Sequence, residues 1–307
     1  MPRRRFGKTG LSVTSIGLGL AALGRPGYIT LGRDRDFGAD RSVDALERRS
    51  HEVLDVAYDA GIRYVDAARS YGFAERFLAS WLRGRGLTPR DVTVGSKWGY
   101  AYVGDWHVDA KVHEVKDHSL PALRRQYGES RALLGDFLDL YQIHSATLES
   151  GVLEDQQVLA ELSRLRATGL VIGLSVSGPR QAEVIERALA VEVDGVNPFQ
   201  SVQATWNVLE PSAGPALRHA HDEGWGVIIK EALANGRLAD RDREAIAAAL
   251  ANPWADVVLS GAVTRDQLAS NVQAVLTPLS EEELAGLTPL AEPRDQYWSE
   301  RSQLHWT

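Results

Sequence analysis

Eight short apolar runs of strand type recur along the chain and alternate with longer stretches of helical spacing, and this alternation limits the fold more than any other feature. The runs are "SIGLGL" (15–20), "RYVDAA" (63–68), "VTVGSKW" (92–98), "DLYQIH" (139–144), "VIGLSV" (171–176), "GVNPFQSVQ" (195–203), "GVIIKE" (226–231) and "VVLSG" (257–261). Helical spacing is predicted over 43–60, 75–82, 110–126, 154–167, 179–190, 212–223, 243–250 and 265–276, the first with Leu46, Val53, Leu54 and Ala57 on one face. Two of these open with the expected N-terminal chemistry, Ser212 in one and Thr264 ahead of Asp266 in another.

Strict alternation means parallel strands joined by right-handed crossovers, because a parallel pair cannot be closed by a tight turn. Eight such units over about 260 residues match a closed (β/α)8 TIM barrel; a doubly wound open sheet is the alternative. No linker rich in Pro, Gly or Ser divides the 307 residues. Residues 1–307 are therefore read as one barrel domain, with a C-terminal extension, 280–307, near the active-site mouth.

Composition removes several function classes. A net charge of −7, with no long Lys/Arg stripe, argues against nucleic-acid and membrane-surface partners and leaves a small molecule. The absence of cysteine excludes disulfides, thiolate nucleophiles and cysteine metal sites, and fits a reducing compartment. "RRRFGK" followed by "IGLGLAAL" imitates a twin-arginine export signal, but Thr9, Gly10, Ser12, Thr14 and Ser15 interrupt the apolar region, so a cytoplasmic protein is expected.

In such a barrel the C-terminal strand ends form the active-site face. There this chain places Asp66, Lys97, His144, Ser175, Gln203 and the pair Lys230–Glu231, polar groups that are costly to desolvate unless they pair with one another or with a ligand. Tyr71 follows Asp66 by five residues. A tyrosine serves as an acid near neutral pH only beside a cation that favours its ionised form. Lys97 can supply that cation, Asp66 can hold the ammonium, and His144 can donate a hydrogen bond to the oxygen that Tyr71 protonates. This constellation gives a proton to a carbonyl oxygen while hydride reaches carbon from elsewhere, which implies a nicotinamide.

Taken together, "RRFGKTGLSVTSIGLGLAALG", "YVDAARSYGFAE", "VGSKWG", "DLYQIH", "RATGLVIGLSVSG", "VQATWN" and "SGAVTRDQLASN" occur in an order and spacing that resemble the aldo-keto reductase superfamily. The resemblance implies a catalytic tetrad of Asp66, Tyr71, Lys97 and His144, with Tyr71 as general acid. It also implies NADPH/NADP+ across the mouth, near Gly19 at the end of the first strand. Ser175 and Gln203 would hold the carboxamide, and the segment 261–271, with Gly261, Arg265, Gln267 and Asn271, would hold the adenosine end. The chain departs from the family pattern at three points. Val176 follows Ser175 where Ser-Asn is common, and Lys230 stands where an aromatic residue often stacks on the ring. Gly261 replaces a lysine found in some members, which leaves Arg265 as the cation for a 2′-phosphate and NADPH rather than NADH as the expected cofactor.

Aromatic residues on the mouth-side loops and the tail are read as pocket walls, namely Trp98, Tyr100, Trp206 and Trp298, with Tyr102, Trp106, Tyr297 and Trp306 beside them. "GLGLAA" at 17–22 satisfies G-x-G-x-x-A, but the glycines and proline that follow leave no helix N-terminus to cradle a pyrophosphate. "GLSVSG" lacks the second glycine of a nucleophile elbow. His107, His113 and His118 lack metal-helix spacing and are expected to be solvated. The leading function is reduction of an aldehyde or ketone with NADPH. A nicotinamide-binding regulatory or sensor subunit is the alternative, and a lyase or isomerase using a Lys97 Schiff base is a third class.

Overall fold

The computed structural model describes all 307 residues. Eight parallel strands close on themselves: β1 Ile16–Gly19, β2 Tyr64–Asp66, β3 Thr93–Trp98, β4 Leu138–Ala146, β5 Val171–Val176, β6 Ser201–Thr205, β7 Gly226–Lys230 and β8 Val257–Ser260. Closure is made by β8 on β1, with Val258, Leu259 and Ser260 opposite Ile16, Gly17 and Leu18. Each strand is followed by a helix of the outer ring: α1 Val43–Asp59, α2 Ala74–Gly84, α3 Leu120–Leu134, α4 Gln156–Ala167, α5 Gln181–Leu189, α6 Gly214–Asp222, α7 Asp242–Leu250 and α8 Arg265–Gln273. This is a (β/α)8 barrel. Two further helices, α9 Glu281–Leu287 and α10 Arg294–Ser302, end the chain. No helix is long and apolar enough to cross a membrane.

Two segments differ from the sequence expectation. The helix expected over 110–126 is instead a strand and a later helix: Glu114–Lys116 pairs antiparallel with Tyr100–Tyr102, and α3 begins only after Ser119, whose Oγ accepts from Ala122 N. Serine at the cap and Pro121 in the first turn set that start. The strand expected over 195–203 begins only at Ser201. Pro198 has no N–H to give a ladder. Asn197 meanwhile turns the chain by donating to the carbonyls of Ala188 and Leu189 and accepting from Phe199 N.

The hydrophobic core lies between sheet and helix ring, and a smaller cluster of Phe6, Val13, Tyr64, Leu140, Val171, Ile228 and Val257 fills the lower barrel. The stretch that imitates an export signal is part of this plug. Arg3–Arg5 pairs with Ser12–Thr14 as a hairpin, and Phe6 at its turn is fully buried against Gly226. The barrel is thus packed from below, and polar side chains collect at the upper strand ends.

Candidate active site

Asp66 is the last residue of β2 and Lys97 the penultimate residue of β3, and the pairing of Asp66 with Gly95 brings the two side chains to one level. Lys97 is wholly buried and Asp66 nearly so. The ammonium donates to Asp66 Oδ1, to the carbonyl of Ala67 at 3.0 Å and to the hydroxyl oxygen of Tyr71 at 3.3 Å. Asp66 Oδ2 accepts from Gln203 Nε2 at 3.0 Å, Tyr64 Oη at 3.2 Å and Gln142 Nε2 at 3.5 Å. A buried carboxylate with this many donors meets the condition under which a charge survives in an apolar interior.

Tyr71 rides on the loop after β2, and two glycines place it. A Cβ on Gly72, which has φ +58°, would come within 2.5 Å of Gly24 O, and one on Gly24 would collide with the carbonyl of Tyr71. The loops after β1 and β2 therefore touch, and Phe73 N donates to Gly24 O at 2.7 Å. His144, near the end of β4, meets the Tyr71 ring edge-on at 5.4 Å. The pairing of β4 with β5 is irregular between Ile143 and Ala146, with Ser145 at φ +49° and its N–H donated to Ser175 Oγ at 2.9 Å. A bulge of this kind re-aims a side chain at the strand end.

Burial and the charge of Asp66 push the Tyr71 phenol well above its ordinary value, while Arg25 pulls it down. Burial, then the Lys97 ammonium, pushes His144 well below the ordinary imidazole range. The ring is therefore neutral. With Nδ1 against Ser70 Oγ at 3.2 Å, assignment of Nδ1 as the acceptor leaves a hydrogen on Nε2.

A cavity runs from Asp66 and Tyr71 past Gly19, Gln203 and Lys230 to Gly261, Gln267 and Asn271. Six of the eight residues expected at a cofactor are on its wall. Ser175 and Arg265 are not: Ser175 is buried beneath the β4 bulge, and Arg265 is exposed on the outer face of α8 without a hydrogen bond or ion pair among the side chains. Of the expected substrate walls, Tyr100 faces His144 with ring centroids 5.1 Å apart. Trp98 is fully buried in the core against His118, Trp206 packs edge-on to Trp254, and Trp298 is buried among Val208, Leu209 and Leu287 with its N–H toward Glu210. Trp98 and Trp298 are buried by packing and Trp206 is half-buried, and none of the three lines the cavity.

Of the three histidines expected in solvent, His107 is exposed and the other two move inward. His113 is buried and stacks on Trp306 at 3.9 Å, and His118 Nε2 lies 2.9 Å from the carbonyl of His144. Sequence reading missed Arg25 altogether. Its guanidinium is 2% exposed, bonds Glu114 at 2.7 Å and Ser70 O at 3.0 Å, and lies over the rings of Tyr71, Tyr28 and Trp306 at 5.2, 5.1 and 4.6 Å. Only the neighbouring "GRPGY", an arginine inside an otherwise turn-forming segment, offered a signal. A second network closes the β7 side: Lys230 donates to Thr205 Oγ1 at 2.7 Å and Ser177 Oγ at 2.9 Å, and Arg301 from α10 holds Glu231 with two N–H groups.

Across residues 16–252 the sequence matches the profile of the aldo/keto reductase family. The chain belongs to that family. Among its relatives, pyridoxal 4-dehydrogenase of Microbacterium luteolum is 29% identical over 217 residues, covering 61% of this chain and 58% of that protein. D-threo-aldose 1-dehydrogenase of a Pseudomonas species is 26% identical, covering 62% and 61% respectively. The match thus spans less than two thirds of either relative. The fold agrees with the holo form of the aldo-keto reductase AKR11C1 from Bacillus halodurans, with a TM-score of 0.72, 22% identity, and coverage of 95% of this chain and 97% of that one. Within the family's barrel, Asp66, Tyr71, Lys97 and His144 meet one another directly at the mouth.

Proposed function

We propose that this aldo/keto reductase reduces an aldehyde or ketone to an alcohol with a nicotinamide dinucleotide, Tyr71 giving the proton. One observation carries the reading. Lys97 spends its three N–H groups on Asp66, Ala67 O and Tyr71 Oη, so the tyrosine oxygen accepts and its own hydrogen remains to be given. Burial keeps the phenol protonated at neutral pH, which suits an acid. Once the proton leaves, the adjacent ammonium compensates the phenolate. The neutral His144, with its hydrogen on Nε2, orients the substrate oxygen.

The residues also fit the dinucleotide. Asn235, which lines the cavity, has a buried Oδ1 with no partner, and Gln203 is bonded through Nε2 while its Oε1 makes no hydrogen bond in the protein. Gly261 leaves open space on the same wall, and a Cβ on Gly19 would make only ordinary contacts with Ser260 and Leu259. When bound, the nicotinamide supplies hydride to the carbonyl carbon. Gln203 would accept from its carboxamide, whereas Ser175, committed to Ser145 N, is reached only if that bond is exchanged.

The test is Tyr71→Phe, which removes one oxygen and keeps the ring. Oxidation of the reduced cofactor with a panel of aldehydes should slow by at least ~10²–10⁴-fold, while cofactor binding persists. Wild-type turnover by the variant would refute the assignment. No turnover by the wild type on any aldehyde or ketone, with cofactor bound, would favour a sensing role instead.

A further inference from the structure

Resting on the nicotinamide reading, we infer that the cavity selects NAD(H) over NADP(H) and that Asp36 is the residue that sets the choice. The expectation of NADPH depended on Arg265 reaching a 2′-phosphate, and that side chain is exposed and outside the cavity. The residues of 261–271 that do line the wall are Gly261, Ala262, Val263, Gln267 and Asn271, all uncharged.

Two carboxylates stand in front of them. Gln267 accepts from Val263 N at 3.0 Å and donates through Nε2 to Asp36 Oδ2 at 2.8 Å, which fixes the Asp36 carboxylate against the first turn of α8. Asn271, with its amide turned as its partners require, accepts from Ser260 Oγ at 2.8 Å and donates to Asp242 Oδ2 at 2.9 Å. Asp36 and Asp242 both line the cavity.

Cations that could offset them are engaged elsewhere. Arg33 donates to the carbonyls of Ala22, Arg25, Pro26 and Thr307, and Lys230 sits on the β7 side with Thr205, Ser177 and Glu231. Arg49 bonds the main-chain carbonyl of Asp36 and lies over the Phe37 ring, and Arg243 bonds Ser270. A phosphate placed here would meet carboxylates, and the two cations of the lining, Arg33 and Lys230, are both engaged with other partners. A ribose carrying 2′- and 3′-hydroxyls instead offers hydrogens to acceptors, the chemistry by which an acidic side chain reads NAD in other dinucleotide sites. The unpartnered, buried Oδ1 of Asn235 on the same cavity wall is a further acceptor waiting for a donor. The lining is thus rich in acceptors and poor in free cations.

Binding of NAD+ and of NADP+ to the full chain, each without substrate, can be read by isothermal titration calorimetry or tryptophan fluorescence. NAD+ should bind at least about tenfold more tightly. Loss of a charge-assisted hydrogen bond predicts that Asp36→Ser weakens NAD+ about ten- to a hundredfold and narrows or reverses the preference. Asp242→Asn should shift the preference in the same direction by less, and Arg265→Ala should change neither constant. Tighter binding of NADP+ by the wild type, a selective loss of NADP+ affinity in Arg265→Ala, or an unchanged ratio in Asp36→Ser would each overturn the inference while leaving the nicotinamide reading intact. Failure of the wild type to bind either dinucleotide would remove that reading and this choice together.

Discussion

Replacing Lys97 with methionine keeps the side-chain length and deletes the ammonium, and the neighbours set the consequence. Asp66, 1% exposed, would keep only neutral donors, Gln203 at 3.0 Å, Tyr64 at 3.2 Å and Gln142 at 3.5 Å. Removing one partner of a buried ion pair costs about 3–5 kcal/mol, and the remaining donors place this variant near the lower end. Asp66→Asn combined with Lys97→Met removes both charges, so the double variant should be more stable than the sum of the singles by about 2 kcal/mol. Urea unfolding followed by tryptophan fluorescence measures this, with an unchanged slope showing that only stability moved. Activity should behave differently. Both Lys97→Met and the double variant should lose at least ~10²-fold in carbonyl reduction, and adding Tyr71→Phe to Lys97→Met should cost little more, because both disable one proton-transfer unit. If Lys97→Met unfolds at the wild-type midpoint, or the double variant loses the sum of the single losses, the buried ion pair is not what holds this site.

Arg25→Gln removes the cation that pulls the Tyr71 phenol down against burial and Asp66, so the phenol should rise further and the alkaline rise of alcohol oxidation should move to higher pH, with partial restoration by Arg25→Lys. An unchanged pH profile would make Arg25 a packing residue only. Trp306→Ala removes the ring between His113 and Arg25, and should raise KM for bulky aromatic aldehydes more than Kd for the cofactor; equal changes would deny it a place at the substrate. Burial alone would raise the Glu231 carboxyl, but Arg301 and Lys230 bring it down to about 2 from 4.5. A folded-state value below the unfolded one stabilises above about pH 4.5, and that stabilisation is lost as pH falls toward 2. Arg301→Met should therefore destabilise most near neutral pH and converge on the wild type in acid; a constant deficit across the pH range would show that Arg301 acts through packing.

The barrel was legible because its signal is repeated: eight apolar runs, each too short to be a buried helix, alternate with helical spacing. What escaped depended on local chemistry that periodicity does not weigh. The pattern 110–126 looks helical, yet Ser119 and Pro121 start α3 ten residues late and free Glu114–Lys116 to pair with Tyr100–Tyr102. That displaced hairpin has consequences at the mouth, since it brings Glu114 to Arg25 and His113 to Trp306, two contacts between segments far apart in sequence.

The strand-end residues were legible for a related reason. A side chain at the end of a barrel strand has its direction fixed by the sheet, so Asp66, Lys97 and His144 could be placed from position alone, and the contacts Lys97 makes with Asp66 and Tyr71 follow from β2 lying beside β3. Loop and helix-terminus residues carry no such constraint. Arg265 and Gln267 are two positions apart in the first turn of α8, about 200° around the axis at 3.6 residues per turn, so one faces solvent when the other faces the cavity. Position along the sequence favoured the arginine because it is charged; helical geometry favours the glutamine, whose amide then reaches Asp36. The partner of that amide lies 231 residues away, on a short helix, Arg33–Phe37, between β1 and α1, a distance no local pattern could bridge. On the inference drawn above, cofactor choice in this barrel rests on the loop that β1 lays against α8 rather than on the charged residue that the strand 8 segment displays.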